Sequence, residues 1–300
     1  MYSKRGYAAL MLTLLIWGST FIVTKVVLRE MGPLVLTELR FIIAFLALAP
    51  LAARQGFRLK DVFRPTFLLF GLTGTTLYYA FQNLGLNYTS VSSTVLILSI
   101  VPAITAVLAV FFLEESLGRM QILGIGLVTV GMVFVGIGSA ADTAGSNPLL
   151  GNALVMVSAV SWAIYTIQGR KLVDEYPALV MTAASTGSGL LFLVPFAGWE
   201  LLANGWQPVG LPSWLGILYL GLAASGLTMF LWNYALHYLP ASVASPFVNL
   251  VPIIGIFSAF WLGETPGWVQ LTGGVLAIVG VLLSSLPQPI IKPKRASTAP

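Results

Sequence analysis

From Pro65 to Leu113 the sequence carries no charged side chain, and from Leu201 to Gly263 it again carries none, apart from His237 if protonated. Each stretch is long enough for two bilayer-crossing helices of about 20 residues. A soluble domain carries about 25% charged residues to cover its surface. This chain has 8%, against 57% hydrophobic residues, and a mean hydropathy of +0.91. The solvent for most of its surface is therefore lipid. Backbone groups in lipid must be satisfied within their own segment, which selects helices. A membrane β-barrel would show ten-residue alternating segments instead.

Counting charge-poor stretches predicts ten spans. The first is Gly6 to Thr24, and the second starts near Pro33 and includes Glu38 and Arg40. Pro65 to Leu113 holds the third and fourth, split at Asn87-Tyr88-Thr89-Ser90. Met120 to Ala141 is the fifth and Leu149 to Gly169 the sixth, entered through the turn signal Ser146-Asn147-Pro148. Tyr176 to Trp199 is the seventh. The eighth starts near Pro212 and is split from the ninth at His237-Tyr238-Leu239-Pro240, and Thr265 to Ile291 is the tenth.

The fifteen Lys and Arg residues set the expected orientation. With the N-terminus inside, the inner segments hold Lys4, Arg5, Arg54, Arg58, Lys60, Arg64, Arg119, Arg170, Lys171, Lys292, Lys294 and Arg295. The outer segments hold only Lys25 and Arg29, and Arg40 lies within a span. The positive-inside rule then places both termini in the cytoplasm and the chain, multi-pass, in the cell's inner (plasma) membrane. The net charge of +5 thus reads as topology rather than as a nucleic-acid surface. Lys4 and Arg5 lead straight into an apolar run without a small-residue cleavage site, which reads as a retained first helix.

There is no cysteine and one histidine, so thiol chemistry, disulfides and a multi-His metal centre are excluded for a single chain. No Gly-x-x-x-x-Gly-Lys-Ser/Thr loop is present to hold ATP phosphates. We expect no cofactor, no metal and no catalytic residues.

The two halves of the chain repeat each other. At an offset of 150, Asn83 matches Asn233, Leu86 Leu236, Tyr88 Tyr238 and Ser92 Ser242. The register continues through Val101-Pro102 and Val251-Pro252 to Glu114 and Glu264. After a one-residue slip, Gln121, Gly124 and Gly131 match Gln270, Gly273 and Gly280, and nearer the start Trp17 matches Trp162. The unit is five helices, an odd number, so the second copy runs upside down. The expected units are residues 1–141, residues 142–288 and a basic cytoplasmic tail, 289–300. Inverted repeats with a solute site near the midplane are a recurrent transporter plan.

Ten spans, the duplication, Trp17-Gly18-Ser19-Thr20-Phe21, Arg40-Phe41, and Pro102 and Pro252 each followed by a helix-ending glutamate (Glu114, Glu264) resemble the EamA-type drug/metabolite transporter superfamily. Within it, the chain is most similar to YddG-type exporters of aromatic and other neutral amino acids. The resemblance implies an all-α, basket-like fold in which helices 1, 3, 4, 6, 8 and 9 enclose a central cavity and helices 5 and 10 act as outer supports. It also makes Arg40 a structural family position. Gly124, Gly131 and Gly138, like Gly273 and Gly280, recur every seven residues, the spacing of a close helix contact through small residues.

The candidate solute-binding residues are the polar and aromatic side chains of those cavity helices. They are Trp17 and Trp162; Tyr78, Tyr79, Gln82 and Asn83; Trp232 and Asn233; and Ser99, Ser245 and Asn249. Trp17 and Trp162 lie well inside their spans, whereas membrane tryptophans favour the interface. Amides in lipid need partners, either a neighbouring helix or a solute, and both readings stand for each. Pro102, Pro246 and Pro252 either expose carbonyls to a solute ammonium or serve as hinges. Glu114 and Glu264 are expected to cap or orient neighbouring helix ends.

No acid or base stands near mid-membrane in the cavity helices, which disfavours phosphorylated substrates and strongly cationic drugs. Neutral or zwitterionic solutes suit the lining, and its rings offer a cation–π surface to an ammonium. The expected function is a secondary transporter exporting amino acids by alternating access. The partners are then a small-molecule substrate and the lipid bilayer, and the chain works as a monomer. An efflux carrier for hydrophobic drugs or other metabolites is the alternative. An intramembrane enzyme lacks its usual residues here, and a passive channel is a third class.

Overall fold

The computed structural model describes residues 3–89, 94, 97–98, 100–138, 147–206, 208–251, 253–254, 267–284 and 286. Among the described residues the regular structure is all helical. Helix α1 spans Lys4–Val27 and opens on Ser3, whose hydroxyl accepts the Arg5 N–H at 3.2 Å. Helix α2, Pro33–Ala53, starts with proline at a position whose N–H has no helical partner. Helix α6, Pro148–Leu172, repeats that device and adds an Asn147 cap on the Leu150 N–H. Helix α7 is Ala178–Asn204. These ends fall within a few residues of the sequence boundaries, because prolines and turn residues mark them.

Helix α3 runs in three pieces, Pro65–Gly71, a π-helical turn at Leu72–Leu77, and Tyr78–Tyr88. Helix α8 repeats that break: Leu211–Gly221, a π-helical turn at Leu222–Leu227, and Thr228–Tyr238. The two π turns fall at the same offset as the sequence repeat, so the duplication is written in the backbone as well as in side chains. A π turn widens the helix and leaves carbonyls free of their usual α-helical partners, and such turns recur at functional sites.

Helix α4 is Val101–Leu113 and ends at Glu114, the one non-glycine residue with a positive φ among those described (54°). Helix α5 is Arg119–Gly138. Helix α9 is the turn Ala241–Ala244, tightening into a 3-10 turn at Ser245–Asn249, and α10 is Trp268–Ser284. Pro252 and Glu264 lie outside the described residues. Among the described residues, four helices are by themselves long and apolar enough to cross a bilayer: α2, α6, α7 and α8. Phe111, Leu149 and Leu202 point outward, as a lipid-facing surface requires.

Helices α5 and α10 pack closely through glycine. A Cβ on Gly131 would lie 2.6 Å from the Gly273 carbonyl oxygen and the Ala277 nitrogen, and Gly124 and Gly280 face each other in the same way. Such contacts let backbones approach for dispersion and packing that larger residues prevent.

Carboxylates from distant segments of the chain cap the starts of helices. Glu200 of α7 accepts the N–H groups of Leu34 and Val35 at 2.9 and 2.8 Å, opening α2. Glu30, between α1 and α2, accepts the N–H of Gly210 at 2.9 Å, just before α8. Glu115 accepts the N–H groups of Ala241 and Ser242 at 2.9 and 3.2 Å, and the Ser242 hydroxyl, at the start of α9. Of the capping or orienting expected of Glu114, the capping is performed by its neighbour. Glu114 itself takes the left-handed turn that ends α4, which aims Glu115 at α9.

Candidate functional site

Trp17, Trp162 and Trp232 meet as a triangle where α1, α6 and α8 converge. Their ring centroids are 5.3 Å (Trp17–Trp162), 5.8 Å (Trp17–Trp232) and 5.4 Å (Trp162–Trp232) apart. Tyr78 joins from α3, 4.6 Å from Trp162, and Tyr79 lies 4.8 Å beyond it. Tyr165 extends the cluster at 5.2 Å from Trp162 and stacks on Phe70 at 4.3 Å. Trp162, Tyr165 and Trp232 are fully buried, whereas Trp17 is half-buried. The Trp162 and Trp232 indole N–H groups have no hydrogen-bond partner. Each unmade bond of this kind costs about 1–3 kcal/mol, and the triangle holds two such donors.

The π turn of α8 organises the outer edge of this cluster. Its Ala224 carbonyl accepts from Trp17 Nε1 at 3.2 Å, from the Thr228 hydroxyl at 2.6 Å and from Arg40 Nη2 at 3.4 Å. Trp17 Nε1 also reaches Thr228 Oγ1 at 2.9 Å. Arg40 of α2 donates from Nε to Ser225 Oγ at 2.7 Å and lies 4.9 Å over the Tyr79 ring. The π turn of α3 serves the packing instead, since Gly74 leaves room for the Tyr165 ring against its backbone.

The remaining sequence candidates separate by geometry. Asn233 donates to Tyr165 OH and Thr182 Oγ1, both at 2.9 Å, and its own carbonyl oxygen is buried without a partner. Asn83 donates to Thr37 Oγ1 of α2 at 2.9 Å, away from the tryptophan triangle, and Gln82 donates to Tyr78 OH at 3.2 Å. Ser245 and Asn249 are buried in α9, with the Ser245 hydroxyl unpartnered. Ser99 lies outside the described residues. Two residues that sequence reasoning passed over, Tyr165 and Thr228, belong here, and Arg40, expected in a structural role, joins them. Tyr165 follows Trp162 by three positions and so shares its helix face; Arg40 stands out as a charge within a span, but its place beside the cluster, like that of Thr228, depends on the π turn, which has no sequence signature.

Two cavities open at opposite ends of the bundle. One of about 460 Å³ lies at the end carrying the α2 C-terminus, lined by Phe230, Tyr234, His237, Tyr238, Asp174 and Tyr176 among others. The other, of about 560 Å³, lies by Glu30, Gly32, Glu200 and Trp206. Neither includes the tryptophan triangle, which the rings themselves fill. The aromatic cluster thus lies apart from both cavities.

Comparison with known proteins gives a consistent picture. The profile of the EamA-like transporter family matches residues 4–137 and 149–286. An uncharacterised transporter of Archaeoglobus fulgidus is 28% identical over 295 residues, covering 95% of this chain and 99% of its own. A protein of Streptantibioticus cattleyicolor named a probable terminal-alkyne amino-acid exporter is 29% identical, covering 94% of each chain. A protein of Salmonella typhimurium named a probable amino-acid metabolite efflux pump is 30% identical, covering 95% of each. One crystal structure superposes with a TM-score of 0.79 at 17% identity, over 93% of this chain and 96% of that one, which speaks to the fold alone.

Proposed function

Since the chain belongs to the EamA-like transporter family, we propose that it is a secondary transporter exporting small neutral or zwitterionic solutes, chiefly aromatic and other neutral amino acids, by alternating access. The observation that carries this reading is the ring cluster of Trp17, Tyr78, Trp162 and Trp232, drawn from both halves of the chain. Flat apolar faces with polar edges suit an aromatic side chain, and the same faces attract an ammonium group. The two relatives named for amino-acid export and amino-acid metabolite efflux support this substrate class.

An aromatic centre set apart from two end cavities supports alternating access. Rocking of the halves would open the cluster to one cavity and then the other. The matched π turns, together with two family matches of similar length, support inverted five-helix repeats, 1–141 and 142–288. The Lys and Arg distribution supports cytoplasmic termini in the plasma membrane. One cluster built within one chain supports the monomer as the working unit.

The test is efflux from liposomes preloaded with labelled amino acids, comparing wild type with Trp17→Ala and Trp162→Phe. The expected result is a saturable flux of aromatic and other neutral amino acids, lost in Trp17→Ala and reduced in Trp162→Phe while size-exclusion profiles stay unchanged. Absence of amino-acid flux together with dye flux would replace this reading with hydrophobic drug efflux. Flux that survives both substitutions would retain the function and reject the site.

A further inference from the structure

We propose that Arg40 receives the carboxylate of the transported solute, an inference that rests on the reading of the protein as an amino-acid exporter. Arg40 lies about two turns into α2, inside a predicted span, with 5% of its surface exposed. A cation in the hydrocarbon layer is costly and is found paired or in a functional path. Among the described residues the ion pairs are Arg64–Asp61 and Arg170–Asp174, so Arg40 has no carboxylate partner. Glu38, two positions earlier, is buried with Oε2 unpartnered, but residues two apart on a helix do not face each other.

The groups that Arg40 does meet are neutral. Its Nε donates to Ser225 at 2.7 Å, its Nη2 reaches Ala224 O only at 3.4 Å, and its plane lies over Tyr79. Two serines or an amide would hold α2 against α8 equally well without a buried charge. A guanidinium presents five N–H donors in a fork shaped for a carboxylate, and the weakly engaged Nη side is the part free to turn toward one.

Position gives the second argument. Arg40 shares the Ala224 oxygen with Trp17, and its Tyr79 platform meets Tyr78, which meets Trp162. A carboxylate held on Arg40 therefore leaves the rest of an amino acid beside the tryptophan triangle. The partial charge of a bare aromatic pocket does not choose between an amino acid and the corresponding amine; Arg40 supplies that choice.

The experiment compares L-phenylalanine with L-phenylalaninamide, which keeps the ring and the ammonium but lacks the carboxylate. Each is loaded into liposomes containing wild type, Arg40→Gln, Arg40→Lys or Ser225→Ala. Wild type is expected to prefer phenylalanine. Arg40→Gln should lower phenylalanine flux by about 10- to 100-fold, the range of a lost hydrogen bond to a charged group, and leave amide flux near wild type. Ser225→Ala, which removes only the anchor, should keep the preference. If Arg40→Gln and Ser225→Ala lower both fluxes alike, Arg40 is only a strut and the proposal is overturned. Should Arg40→Gln fail to fold, Arg40→Lys decides: a selective loss of phenylalanine flux supports the proposal and unchanged selectivity overturns it. Wild-type flux of phenylalanine without any preference over the amide overturns the carboxylate role and leaves the exporter reading standing. Wild type that moves no amino acid defeats the exporter reading and this proposal with it.

Discussion

Gly124 of α5 and Gly280 of α10 face each other reciprocally: a Cβ on Gly124 would lie 2.5 Å from the Gly280 carbonyl oxygen, and a Cβ on Gly280 would lie 2.6 Å from that of Gly124. The obstacle on each side is backbone, which cannot swing aside as a flexible side chain does. Gly124→Val should therefore destabilise the protein by about 1–3 kcal/mol through overpacking. Gly126, on the same helix, has nothing within 4 Å of its Cβ position. Gly126→Val should leave thermal unfolding in detergent near wild type, and equal losses for the two variants would refute a specific glycine contact.

Glu200 holds the start of α2 from another helix, through the N–H groups of Leu34 and Val35. Glu200→Ala leaves two buried or half-buried donors unsatisfied and removes a negative charge from a positive helix end. The expected cost is about 1–2 kcal/mol. Glu200→Gln keeps an acceptor and should recover part of that loss. Denaturant unfolding followed by tryptophan fluorescence measures both.

Glu30 lies in the loop between α1 and α2, outside the spans. The Gly210 N–H, and next the Ser213 hydroxyl, donate to its carboxylate and hold its pKa below the usual 4.5. Because the folded value is depressed, the stabilisation is fully present above the unfolded value. It is lost as pH falls below about 4.5 through the lower folded value. Wild type should therefore lose more stability than Glu30→Gln on acidification from pH 6 to below 4 at about the same ionic strength. Parallel pH profiles for the two proteins would contradict this contact.

Gly74 makes room for the Tyr165 ring, which stacks on Phe70. Gly74→Ala should push Tyr165 out of register with Trp162 and with the Asn233 amide, at a cost of about 1–3 kcal/mol. In a Tyr165→Ala background the same substitution should cost much less, because the obstructing ring is gone. A double-mutant cycle on unfolding free energy reads the coupling directly. Additive effects would show that the ring has other room to move.

Much of the helix arrangement is legible in the sequence because lipid enforces it. Pro33, Pro65, Pro148 and Pro212 stand at the starts of α2, α3, α6 and α8, and Tyr88 and Tyr238 end α3 and α8 where the charge-free stretches are split. The glycine spacing of α5 and α10 likewise announces their contact. The aromatic centre is half legible. Trp17, Tyr78, Trp162 and Trp232 stand out as rings deep within spans, whereas Asn83 turns to α2 and Gln82 to its own helix. An amide at a given helical position reads the same whether it faces a solute or a neighbouring helix.

By itself the sequence determined that this chain is a bundle of membrane helices with a duplicated pattern, because the absence of charge over long segments leaves the backbone no other way to satisfy its hydrogen bonds in lipid. Only the tertiary structure decided which helix faces meet. The π turns at Leu72–Leu77 and Leu222–Leu227 shift the phase of every side chain beyond them. Gly74 within the first π turn lies against Tyr165, and the π turn of α8 offers the Ala224 oxygen to both Trp17 and Arg40. The periodicity of an α-helix does not foretell such a change, so the partners it creates lie beyond what spacing alone can give.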